Sequence, residues 1–177
     1  AVRGAEIGHD CLISKKHLAM TDEEIRDRIA VCDDERLFVV YEAMRRGITP
    51  EYIHEVTKID LWFLYKLMKL IDVERELAKG VLSDELYIRA KKLGYPDKVI
   101  ERISGVKIEK PAHAVYKMVD TCAAEFSAET PYFYSTYDTE DEASQFIKHK
   151  GSDKKTVIVF GSGPIRIGQG IEFDYAS

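Results

Sequence analysis

Several patterns are missing from this 177-residue sequence, and each absence narrows what the chain can do. No run of about 18 apolar residues occurs, so nothing reads as a membrane span. Basic residues do not dominate: 26 Lys and Arg stand against 31 Asp and Glu, a formal charge of -5, and no basic stripe is visible. Nucleic acid is therefore not expected as the main partner, because gripping a phosphate backbone relies on clustered Lys and Arg. Cysteine is scarce, and Cys11, Cys32 and Cys122 are odd in number and too widely spaced for a C-x-x-C metal or redox pair. A reduced, cytoplasmic compartment is the expectation. The five histidines, His9, His17, His54, His113 and His149, lack the spacing that gathers a metal ion, so no metal site is expected. No internal repeat and no charged-then-apolar leader after Ala1 is seen, and Ser177 falls inside what reads as a helix just begun. The expectation is a piece cut from a longer chain.

What is present reads first as a helical bundle. The hydrophobic share of 45% beside 32% charged residues is that of an ordinary globular protein. Thr21-Asp22-Glu23-Glu24 fits the S/T-x-x-E capping box and opens a helix bearing Ile25, Ile29 and Cys32. Leu37, Val40, Tyr41 and Met44 recur at helical spacing up to Gly47, and Thr49-Pro50 starts a third, short helix. The strongest signal runs from Asp60 to Gly80, with Leu61, Leu64, Met68 and Ile71 on one stripe. Trp62, Phe63, Tyr65 and Leu67 widen its apolar face beyond the need of a single neighbour, which predicts that this helix is the centre of the bundle. Trp62 and Phe63 fit either core or subunit interface, with Trp62 expected in the core. Ser83 and Pro96-Asp97 open two more helices, giving six before Gly105.

Beyond Gly105 the pattern changes. Val115 to Phe126 is ambiguous in period, and Pro131 to Tyr137 is aromatic and β-prone, read as extended packing over the bundle. Residues 138–155 are polar and charged, with Gly151-Ser152, which is the composition of a linker. Thr156 to Phe160 is a short apolar run feeding a turn with Gly161, Gly163, Gly168 and Gly170, the pattern of a buried parallel strand before a glycine-rich turn. The expected fold class is mainly α, a helical bundle with an extended aromatic segment and a C-terminal β-strand and glycine turn that begin an α/β domain.

The string Gly161-Ser162-Gly163-Pro164-Ile165-Arg166-Ile167-Gly168-Gln169-Gly170-Ile171-Glu172-Phe173-Asp174-Tyr175 resembles the start of the second synthetase half of the carbamoyl phosphate synthetase large subunit. Val115 to Phe126, Tyr134-Ser135-Thr136-Tyr137 and Ile59 to Leu64 are similar to that family's oligomerisation domain, and Ala1 to Gly8 to the tail of its first half. The resemblance implies boundaries at 1–20, the tail of the first half; 21–137, the oligomerisation domain; 138–155, the linker; and 156–177, the start of the second-half pre-ATP-grasp domain. It implies a parent ligase that makes carbamoyl phosphate from bicarbonate, glutamine-derived ammonia and two ATP, for arginine or pyrimidine biosynthesis. ATP, Mg or Mn, and K would bind outside this piece, which needs no cofactor of its own. The implied partners are other copies of the large subunit and the glutaminase small subunit. It also implies that Arg166 and Glu172 line the interior passage taken by carbamate, a labile anion kept from bulk water. In one respect the chain departs from the family: residues 106–113 fill a space where the family has another helix.

Other functions fit less well. A nucleotide-binding enzyme built on the 161–170 turn would need the remaining strands of a doubly wound sheet. A helix-turn-helix DNA binder on Gly47 to Lys58 would need a basic recognition helix, and Glu51, His54 and Glu55 oppose that. Cys122 beside Asp120 has no histidine near it in sequence and reads as an inert small apolar group rather than a nucleophile.

Overall fold

A computed structural model describes residues 8–127, 132–149 and 155. Residues 1–110 and 111–177 form two compact units. Among the described residues the fold is mainly helical, with eight helices and one two-stranded sheet. The strand from Thr156 to Phe160 and the glycine turn after it lie outside the described residues.

The first unit holds α1 (Lys15–Leu18), α2 (Asp22–Ile29), α3 (Arg36–Arg45), α4 (Pro50–Thr57), α5 (Leu61–Leu77), α6 (Asp84–Lys92) and α7 (Asp97–Ser104). Six of these seven are the helices expected from sequence, and the four-residue α1 is additional. Local chemistry sets their ends. The Thr21 hydroxyl accepts the Glu24 amide at 3.2 Å while the Glu24 carboxylate accepts the Thr21 amide at 2.7 Å, completing the capping box. Thr49, Asp60 and Ser83 likewise accept the amides of Tyr52, Trp62 and Leu86. Gly47 and Gly94 stand at φ of 90° and 91° just past α3 and α6, a region where a Cβ would be strained.

The element enclosed most completely is α3, where Phe38 through Met44 are all buried. Its Val39, Val40, Tyr41, Ala43 and Met44 pack with Ile25 and Ile29 of α2, Ile53 of α4 and Leu64 and Ile71 of α5 into one core. The long α5 packs against α3, α4, α6 and α7, so it shares the central position expected for it with α3. Trp62 corrects the expectation of a core anchor, because it is 59% exposed, and Phe63 is 58% exposed. The reason is geometric. At about 100° per residue, Trp62 stands roughly 160° around the helix from Leu64, which is fully buried against the core. The apolar face of α5 is wider than the bundle that covers it.

In the second unit β1 (Val115–Met118) pairs antiparallel with β2 (Phe133–Thr136), Val115 opposite Thr136 and Met118 opposite Phe133. The ambiguous and the aromatic segments are thus two strands of one hairpin-like ribbon. Within residues 138–155, where a linker composition is read, α8 (Glu142–His149) forms instead. Asp141 explains it: its carboxylate accepts the Ser144 hydroxyl at the start of α8 and the Tyr116 amide of β1 at 3.1 Å. Phe146 of α8 meets Phe133 of β2 edge to face at 5.6 Å. Residues 106–114 contain no helix.

Candidate interaction surface

The chemistry-bearing groups of the bundle are mostly engaged in holding it together. Arg45 donates to Glu74 at 2.5 Å and to Glu42 at 2.6 Å, Arg46 donates to Glu42 and Asp22, each at 2.8 Å, and the Tyr41 hydroxyl donates to Glu74 at 3.0 Å. Arg46 also donates to the carbonyls of His17 and Met20, tying α1 to α3. Glu42 and Glu74 are buried, and both carboxylates are satisfied by two partners, which is the condition for a buried charge to be tolerated. The Tyr95 hydroxyl donates to the Leu70 carbonyl at 2.9 Å and lies 3.3 Å from that of Tyr41. Burial pushes the Tyr95 phenol up to about 12, and raises Tyr41 further. This network crosslinks α3, α5 and the α6–α7 turn; it is scaffold, with every member facing another.

No group of three or more His, Cys, Asp and Glu residues placed to hold a metal occurs among the described residues. The three cysteines are unpaired, and the Asp120 carboxylate accepts the Cys122 amide at 3.0 Å rather than facing its thiol. An open recess of about 510 Å³ in the second unit is lined by Met118, Val119, Ala124, Phe126 and Phe146, and its acidic groups are engaged by backbone. Asp120 holds the Cys122 amide and Glu142 holds the Met118 amide at 2.6 Å.

Exposed aromatic residues cluster on α4 and α5. Trp62 and Phe63 meet edge to face with ring centroids 5.0 Å apart. The Lys66 ammonium lies 4.7 Å from the centroid of the Trp62 ring, a cation–π contact from the next turn. Tyr65 is exposed on the other flank of Trp62 from Phe63, and its hydroxyl donates to Glu51 of α4 at 2.7 Å, which joins the two helices there. Tyr52 and Val56 are the exposed apolar residues of α4. Of the residues expected from sequence to matter, Trp62 and Phe63 are therefore brought together. The glycines 161, 163, 168 and 170, Arg166 and Glu172 lie outside the described residues. The sequence already groups Tyr65 with Trp62 and Phe63 on a widened apolar face; Lys66 is the addition, four residues after Trp62 and so its neighbour on the helix.

Residues 1–120 match the carbamoyl-phosphate synthetase large chain oligomerisation domain, and residues 153–177 match the carbamoyl phosphate synthase preATP-grasp domain. The chain belongs to the carbamoyl phosphate synthetase large chain family. A carbamoyl phosphate synthase large chain of Agathobacter rectalis is 46% identical over 185 residues, covering 100% of this chain and 17% of the relative. One from Thermoanaerobacter pseudethanolicus is 49% identical with the same coverage, and one from Lachnoclostridium phytofermentans is 49% identical over 164 residues, covering 88% of this chain and 15% of its own length. The chain thus spans about a sixth of the length of these relatives. For the first two, the aligned stretch is longer than the chain's own 177 residues, so those proteins carry residues that this chain lacks. Trp62, Phe63 and Tyr65 all fall within residues 1–120, the stretch that matches the oligomerisation domain.

Proposed function

We propose that this segment is the assembly module of a carbamoyl phosphate synthetase, joining the two synthetase halves of the large chain and associating with other copies of it. The parent makes carbamoyl phosphate from bicarbonate, ammonia released from glutamine by a small subunit, and two ATP, in the cytoplasm, supplying arginine or pyrimidine biosynthesis. ATP and its Mg or Mn, with K, are bound by the halves that flank this segment. Arg166, within the glycine-rich stretch 161–170, and Glu172, two residues beyond it, line the route of carbamate. The observation that carries this reading is the in-order match of residues 1–120 and 153–177 to two consecutive parts of one large chain. The build of the bundle agrees with it, because its ionised groups brace helices against one another and leave an apolar face outward. No helix among the described residues is long and apolar enough to cross a membrane.

Sedimentation of the chain over a range of concentrations, beside an assay for ATP-dependent carbamoyl phosphate formation, tests the proposal. Association that rises with concentration and no turnover is the expected result. Turnover that stays with the chain through successive columns, or a monomer at all concentrations, would overturn the assembly role.

A further inference from the structure

We propose that residues 12–20 form an acid-released strap across α3: protonation of His17 frees the strap from the bundle while the core beneath it stays folded. The strap includes α1 and leads into the capping box of α2. The device is a property of the bundle itself and is independent of the assembly role.

The strap has little stability of its own. Its α1 is a four-residue helix, far below the roughly 12 to 15 residues at which an isolated helix becomes even marginal in water. Two sets of contacts hold it. On the polar side Arg46, just past α3, donates to the carbonyls of His17 at 3.0 Å and Met20 at 2.8 Å. On the apolar side Leu12, Ile13 and Met20 pack against the core, and the His17 ring, 1% exposed, lies parallel to Phe38 of α3. An ionisable group thus sits in a largely apolar layer.

Both nitrogens of that ring are buried, and neither has a hydrogen-bond partner among the described residues. A neutral ring survives there; an imidazolium, which carries a charge and two N–H donors, is far costlier to bury unpartnered. The charged groups around it are already committed. From α3 and the residue before it come Glu42, whose two oxygens accept from Arg45 and Arg46, and Glu35, which pairs with Lys16 of α1 and Arg28 of α2. His9 lies against the Phe38 ring at 4.9 Å, and Asp10 pairs with Arg102 of α7. Burial, with Lys16 and Arg28 beside it, outweighs Glu35 and Glu42 and holds the closed imidazole below its ordinary 6.5. Once in water the ring returns to about 6.5. The open strap therefore takes a proton that the closed one refuses, so opening is at its minimum above about pH 7.5 and increases as the pH falls through 6.5 toward the depressed closed value. Opening bares Phe38 and the part of the core that Leu12, Ile13 and Met20 cover.

Amide exchange in the intact chain tests this at Leu18 and Met20, whose amides donate to the Ser14 and His17 carbonyls within the strap. Their protection factors should fall about five- to tenfold between pH 7.5 and 5.5, the change expected when one proton binds near 6.5 in the open state. Sub-denaturing urea should leave them nearly unchanged at either pH, because a short strap exposes little surface on opening, while the Leu64 and Ile71 amides of α5 respond steeply. The His17 ring, followed by NMR, should titrate below 6.5. His17→Phe should abolish the pH dependence at both amides, and His9→Gln should keep it. Protection that is absent at pH 7.5, or that does not change with pH, would overturn the inference. So would a urea response equal to that of Leu64, since His17 would then be released only by global unfolding, or a ring that titrates above 6.5, since a carboxylate would then hold the imidazolium in place. These readings come from the unmutated chain, so they decide the matter even where His17→Phe fails to fold.

Discussion

Trp62 and Leu64 lie two residues apart on α5 and face nearly opposite ways, one 59% exposed and the other fully buried. Truncation should separate them sharply. Leu64→Ala removes a side chain from the core shared by α3, α4 and α5 and should cost roughly 2 to 5 kcal/mol. Trp62→Ala touches no core contact and should change stability by only about 0.5 kcal/mol. Urea midpoints of the two variants decide it, and a large loss at Trp62 would place that ring in the core after all. His17 is a second single-residue case. Its ring is 1% exposed, stacks on Phe38 at 6.3 Å, and neither nitrogen has a hydrogen-bond partner among the described residues. Burial, reinforced by the positive charges of Lys16 and Arg28, outweighs the nearby Glu35 and Glu42 and holds the imidazole below its ordinary value of 6.5. The unfolded chain then takes up a proton that the folded one refuses, so stability is full above about 6.5 and falls as the pH drops from there to the depressed folded value. His17→Phe should flatten the dependence of the urea midpoint between about pH 7.5 and 5.5, and an unchanged slope would assign the proton elsewhere. Neither assignment is readable from sequence alone, because apolar character says that Trp62 and His17 can be covered but not which helix does the covering.

At the scale of elements, the boundaries that rest on neighbours in sequence are legible and the rest are not. Thr21, Thr49, Asp60 and Ser83 each cap the helix their spacing announces, since a side-chain oxygen needs only the amide two or three residues on. By contrast, α8 lies in a stretch whose charge and Gly151-Ser152 read as linker, and it depends on contacts from afar. The Asp141 and Glu142 carboxylates accept the outward amides of Tyr116 and Met118, in effect serving as the missing neighbour strand along the free edge of β1. A pairing over 25 residues leaves no local signature. Asp141 should therefore hold two elements at once. Asp141→Ala is expected to speed hydrogen exchange at the Tyr116 amide and to fray the first turn of α8 together, leaving α3 and α5 amides unchanged. Loss at only one of the two places would show that strand and helix do not depend on the same carboxylate.

For the whole molecule, the decisive fact is where the apolar burial lies. Every buried hydrophobic residue among the described ones falls between Ile25 and Ile100, inside the first unit. The described residues of the second unit contribute a ribbon of two four-residue strands and one eight-residue helix, joined by the Phe133–Phe146 contact and a few side-chain to backbone hydrogen bonds. A two-stranded ribbon is marginal in water without a larger apolar face beneath it. The two units should accordingly lose structure at different denaturant concentrations, because local stability follows the apolar contacts available to each region. The expectation is that amides of Val115 to Met118 exchange through a low-energy opening while those of Leu61 to Leu77 exchange only near global unfolding. Light proteolysis should cut in the helix-free stretch 106–114 and leave a bundle whose thermal midpoint matches that of the uncut chain. Coincident transitions for the two sets of amides, or a bundle that melts earlier once cut, would mean that the ribbon and α8 lend the bundle stability beyond the core it carries itself, and that the chain folds as one cooperative body.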